Sequence, residues 1–130
     1  MLRKIFRVYR YIYYREYLFF KKNTWDISPH TSALFDMVIV FVIYLTLFSL
    51  IISKQIGVDI DSLLTKNQWF FIYFLIHLAH YFLFNYKKKY LLLEKEFINE
   101  NKKQRYINGW LVVTYSVGSI IFMFALILYY

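Results

Sequence analysis

Three apolar stretches, each near the length of a bilayer crossing, leave this chain few ways to fold. The first runs from Met37 to Ile52 and extends backwards through Ala33, Leu34 and Phe35, with Asp36 inside it. The second runs from Trp69 to Tyr86, interrupted by His77, His80 and Asn85, and the third from Trp110 to Tyr130 without a formal charge. A helix of about 20 residues crosses the roughly 30 Å of hydrocarbon in a bilayer. A helix also satisfies its own backbone there, where no water replaces a lost hydrogen bond. Packing the three stretches into a soluble domain would leave too little polar chain to cover them. Of the 130 residues only 18% are charged, against about 25% in a soluble domain. The expectation is an all-α membrane protein, one membrane domain over residues 1–130, with transmembrane helices at 33–53, 69–86 and 110–130.

Cationic residues orient the spans, because loops retained in the cytoplasm carry the excess of Lys and Arg. Arg3, Lys4, Arg7, Arg10, Arg15, Lys21 and Lys22 precede the first stretch. Lys54 and Lys66 lie between the first and second, and Lys87, Lys88, Lys89, Lys95, Lys102, Lys103 and Arg105 between the second and third. This alternation places the N-terminus and the second loop inside, and the first loop and the C-terminus outside. Trp69, Trp110, Tyr129 and Tyr130 fall at span ends, where amphipathic rings sit at the head-group level. The net charge of +8 lies beside apolar stretches, which suits the anionic cytoplasmic leaflet better than nucleic acid. With no cysteine, disulfide scaffolds, thiolate metal sites and thiol nucleophiles are excluded.

Residues 1–22 read as an amphipathic interfacial helix. Leu2, Ile5, Phe6, Tyr9, Ile12, Tyr13, Phe19 and Phe20 gather on one side, and Arg3, Lys4, Arg7, Arg10, Lys21 and Lys22 on the other. Such a helix lies in the head-group plane, and those six cations are the expected lipid head-group contacts. Glu16 breaks the pattern: either the helix tilts or frays there, or Glu16 pairs with a Lys or Arg of the second loop. The stretch lacks the uninterrupted apolar core and small-residue cleavage site of a signal peptide, and reads as part of the mature protein. Asp26-Ile27-Ser28-Pro29 has the look of a helix start, with Ser28 as N-cap and Pro29 first in the helix. Residues 87–108 form a cytoplasmic amphipathic segment. The simplest reading continues the second span as one helix to about Glu100, with a reversal near Asn108-Gly109. Its aromatic face and that of the N-terminal helix are expected to pack together rather than lie separately on lipid.

Tyr81-Phe82-Leu83-Phe84, Lys87-Lys88-Lys89-Tyr90, then Phe97, Glu100, Lys102-Lys103, Arg105 and Asn108-Gly109 together form a pattern. It resembles a family of small three-span membrane proteins of AT-rich bacteria. The resemblance covers most of the chain and includes the basic, tyrosine-rich N-terminus. It implies the three-span topology in a bacterial inner (plasma) membrane and brings no activity with it. The family pattern has Asn in the place of His80 and an acidic residue in the place of His30, so it implies no site at these histidines.

Ionisable groups inside spans mark function by default, and here they are Asp36, His77 and His80. His77 and His80 share a helix face and are the candidates for cofactor binding. Without a neighbouring carboxylate or thiolate, neither a metal site nor a bound cofactor is expected. Counting along the spans puts His80, Tyr115 and Ser116 at one level. Asp36 lies nearer the cytoplasm, within reach through a tilted helix or a bridging water. This intramembrane cluster of Asp36, His77, His80, Tyr115 and Ser116 suits a proton relay, or a bundle satisfying its own polar groups, and the bundle is the expectation. Thr114, Gly118 and Ala125 form a small-residue stripe for helix packing. Asp59 and Asp61 are expected to cap the second spanning helix. No phosphate loop, nucleophile elbow, His-Glu zinc motif or calcium loop occurs. The functional expectation is a non-enzymatic accessory or scaffold subunit acting through helix–helix contacts, as a homo-oligomer or with another membrane protein. An oligomeric pore or membrane-disrupting effector, and a His-based cofactor-binding subunit, are the alternatives.

Overall fold

The computed structural model describes residues 1–23, 25 and 27–129, and the side chains of these apart from 60, 61 and 129. Asp26, Tyr130 and the side chains of Asp61 and Tyr129, all used in the sequence reading, lie outside the described residues. Every regular element among the described residues is helical: α1 (Leu2–Lys22), α2 (Pro29–Ile56), a short α3 (Ile60–Leu63), α4 (Lys66–His80), α5 (Lys89–Phe97) and α6 (Lys102–Tyr129). A π-helical turn, Tyr81–Asn85, and a 3₁₀ turn, Tyr86–Lys88, join α4 to α5.

Helices α2 and α6 are long and apolar enough to cross a membrane. Their apolar surface is not consumed by the fold: 28% of the most apolar stretch of α2 and 11% of that of α6 are buried within the chain. A core helix of a soluble domain would show the reverse. Helix α4 has 15 residues and does not reach spanning length by itself.

Local chemistry sets the helix ends. Pro29 opens α2, where its missing N–H is no loss. Gly57 closes it in the left-handed conformation at φ 71°, its N–H donating to Ser53 O at 2.9 Å. A side chain there would be strained, which is why glycine ends the helix. Helix α4 is capped by Thr65, not by the aspartates expected from the sequence. Gln68 N–H donates to Thr65 Oγ1 at 3.3 Å, and Thr65 N–H donates to Gln68 Oε1 at 2.8 Å, a reciprocal capping box. Asp59 instead starts α3, its carbonyl accepting from Ser62.

Two features of the second loop differ from the sequence reading. The chain does not run as one helix from the second span to Glu100. Lys87 and Lys88 both adopt left-handed backbone, φ 53° and 57°, and turn α5 off the preceding axis so that it packs on α1 and the π-turn. The reversal at Asn108-Gly109 is also absent, because α6 runs through it. The chain turns between α5 and α6 instead. Asn101 Oδ1 accepts from Gln104 N–H at 2.8 Å there and caps the new helix.

The core lies where α1 crosses the ends of the other helices. Tyr13, Tyr14 and Tyr17 are buried against Ala33, Leu34 and Met37 of α2, Phe84 of the π-turn, and Leu93 and Phe97 of α5. The Tyr13 and Phe84 rings stack at 4.3 Å, and His30 stacks on Tyr90 at 4.7 Å. Leu2, Ile5, Phe6 and Phe19, expected on the apolar face of α1, are exposed. The buried stripe is rotated toward the tyrosines because they meet partners from three other elements. Two ion pairs flank this seam, Arg10–Glu96 at 2.6 Å and Lys21–Glu94 at 2.7 Å.

Candidate functional site

Tyr9, Tyr13 and Glu16 fall four and three residues apart on one stripe of α1. Each meets a polar group of a different element. The Tyr9 hydroxyl lies 2.6 Å from His80 Nε2, and His80 Nδ1 lies 2.8 Å from the Ile76 carbonyl. A carbonyl only accepts, so Nδ1 carries a proton and donates to Ile76, while Nε2 and the Tyr9 hydroxyl share the second hydrogen bond. The Tyr13 hydroxyl donates to Asn85 Oδ1 at 2.6 Å, and Asn85 Nδ2 donates to the His30 carbonyl at 3.3 Å. The Ser116 hydroxyl of α6 donates to Glu16 Oε1 at 2.6 Å, a contact buried from solvent.

The π-turn makes the ladder possible. Its wider turn closes a hydrogen bond from Tyr86 N–H to the Tyr81 carbonyl. That geometry brings residues five apart into line, so Asn85 joins His80 on the side facing α1. His80 and Phe84 both contact the Tyr9 ring, at centroid distances of 5.9 and 5.8 Å.

Electrostatics follow from burial. Desolvation holds the Glu16 carboxyl above its ordinary value; the Ser116 hydrogen bond opposes this, and neighbouring Asp36 adds to it. Burial likewise keeps the Tyr9 and Tyr13 phenols protonated well beyond the usual tyrosine range. Asp36 Oδ2 is buried and has no hydrogen-bond partner. The site therefore gathers one imidazole with both nitrogens engaged and, beside the Ser116 hydroxyl, the Glu16 carboxyl with Asp36 as a neighbour.

The cluster expected from the sequence is regrouped. Ser116 and Asp36 share their surroundings with Glu16, and Tyr115 stacks on Tyr44 at 5.9 Å. Ser119 adds a hydrogen bond to Tyr44 Oη at 2.9 Å. His80 belongs instead to Tyr9, and the His77 ring rests on Phe35 at 5.0 Å. Both His80 nitrogens are engaged. Glu16 neither frays α1 nor pairs with a cation of the second loop: α1 is continuous, and Ser116 is its partner. Tyr9, Tyr13, Glu16 and Asn85 are the members that sequence reasoning did not assemble. Their signal was the spacing 9, 13, 16, read there as an apolar face whose pattern Glu16 breaks.

Of the expected head-group cations, Arg3, Lys4, Arg7 and Lys22 are exposed, whereas Arg10 and Lys21 hold α5. On α6 the side chains turned inward are Val112, Ser116 and Ser119. Thr114 and Ala125 are exposed and Gly118 is half-buried, so the small-residue stripe faces away from the chain's own core. Among the described residues no group of three or more His, Cys, Asp or Glu is arranged to hold a metal. No protein-family profile, curated protein or solved structure matches the chain.

Proposed function

We propose that the chain crosses a bacterial plasma membrane three times and serves as a non-enzymatic accessory or scaffold subunit. It works through helix contacts, with a second copy of itself or with another membrane protein. Helices α2 and α6 are two crossings. Helix α4 and the π-turn together, 15 and five residues, form the third, long enough at 1.5 Å per residue for about 30 Å. The N-terminus and the lysines at 87–89 face the cytoplasm, following the cation distribution. The family resemblance supports the same topology.

The outward small-residue stripe of α6 carries this reading. A side chain built on Gly118 would meet only Thr114 Cγ2, at 3.8 Å. Space at Gly118 therefore serves nothing inside the chain, while in lipid such a stripe lets a second backbone approach closely. The native chain has no cysteine, so a single Thr114→Cys substitution reports on that face. Oxidative crosslinking in membranes is expected to capture a neighbour through Cys at 114. Adding Gly118→Leu is expected to reduce capture about tenfold, equivalent to ~1.4 kcal/mol of lost packing. A chain that stays single under these conditions overturns the proposal.

A further inference from the structure

We propose that the groove between α1 and the first turns of α6 binds the head group of an anionic phospholipid, with Arg15, Lys102 and Arg105 holding the phosphate. The groove has a volume of 520 Å³ and carries no carboxylate on its walls. Its three cations make no ion pair among the described residues, unlike Arg10 and Lys21 on the opposite flank of α1. Below the cations the lining changes to Tyr106, Gly109, Trp110 and Val113.

From Lys102 to Val113 this face of α6 extends about 16 Å at 1.5 Å per residue, from a charged end to an apolar end. A free anion satisfies only the upper part, and a hydrocarbon only the lower. A phospholipid with a net negative head group supplies both, and basic pockets on the cytoplasmic side of spanning helices suit such lipids. Trp110 and Tyr106 sit at the join, where amphipathic rings favour the glycerol region.

Gly109 shapes the groove. A Cβ there would lie 2.7 Å from Arg15 Nη2. The guanidinium thus rests directly on the α6 backbone, and any larger residue displaces that flexible tip without disturbing the helices. Glycine costs helix stability, and its use at this position admits Arg15 to the groove.

The inference rests on α6 spanning a membrane, and the test separates the two. The full chain carrying Trp25→Phe and Trp69→Phe leaves Trp110 as its sole tryptophan. Its fluorescence is measured in vesicles containing brominated phosphatidylglycerol or, at equal mole fraction, brominated phosphatidylcholine. Phosphatidylglycerol is expected to quench more strongly. Its relative affinity should fall about fivefold for each cation removed, in Arg15→Gln and in Arg105→Gln. Gly109→Ala is expected to lower the preference as Arg15→Gln does. Lys66→Gln, neutralising an exposed cation at the start of α4 and outside the groove, should leave it unchanged. Equal quenching by the two lipids, or an equal loss from Lys66→Gln, overturns the site and leaves the spanning reading intact. Absence of quenching by either lipid overturns both.

Discussion

Glu16 has Ile12 and Phe20 one turn to either side and looks, on α1 alone, like a misplaced charge. Its partner Ser116 is 100 residues away, so no property of the isolated helix could reveal the fit. Burial raises its pKa, which means that the fold favours the protonated carboxyl. Stability from that preference is fully present below the ordinary value of 4.5 and declines as pH rises from there through the raised folded value. Thermal unfolding in detergent, followed from about pH 4 to about pH 8, should therefore show falling stability. Glu16→Gln keeps a hydrogen-bond acceptor for Ser116 and removes the titration. Its melting temperature is expected to lose much of the pH slope and to exceed the native value at neutral pH by about 2–5 °C. An unchanged slope would mean that the carboxyl already ionises freely in the folded chain.

Among the elements, the two most apolar helices were legible because long uncharged runs, 37–53 in α2 and 106–129 in α6, declare themselves without reference to neighbours. The ends of α2 were legible in part, through Ser28-Pro29. The link from α4 to α5 was not. Its sequence continues an amphipathic pattern, and Lys87-Lys88 carries no glycine or proline to signal a stop. Tertiary contacts decide the break: Phe84 stacks under Tyr13, Tyr90 packs against Tyr17 and His30, and Phe97 meets Tyr11 and Tyr14. Meeting them forces two consecutive lysines into left-handed backbone, at about 1–2 kcal/mol each. Lys88→Gly should relieve one such strain, raising stability by about 1 kcal/mol in denaturant unfolding. Lys88→Ala keeps the strain and should gain nothing. In the same way Asn108-Gly109 reads as a turn, yet Asn108 donates to Glu100 at 2.7 Å and Gly109 accommodates Arg15 within a continuous α6.

For the molecule as a whole, α2 packs on both α4 and α6, and α1 ties their ends to α5. Hydrogen bonds and ion pairs concentrate in this tie, while beyond their terminal turns the outer surfaces of α2, α4 and α6 are mostly apolar. In the proposed three-span arrangement the two ends of α4 and its π-turn lie on opposite sides of the membrane. Single cysteines replacing Asp59 and Lys88 are expected to react with an impermeant thiol reagent from opposite faces of sealed vesicles. Reaction from one face would overturn the topology. The alternation of cations supplied this expectation, whereas the polar ladder inside it depended on α1, which the helical wheel assigns to the lipid surface.

Helix α1 is synthesised before the groups it seals against, from His80 to Ser116. During that interval its tyrosines lack Phe84, Leu93 and Phe97, and in the proposed membrane arrangement the exposed Arg3, Lys4 and Arg7 beside Phe6 give it a resting place among head groups. In that arrangement the helix is a latch that closes only once α6 has been made. Nascent chains arrested after Lys66 should be cut by trypsin at Arg15 in membrane preparations, and completed chains should resist.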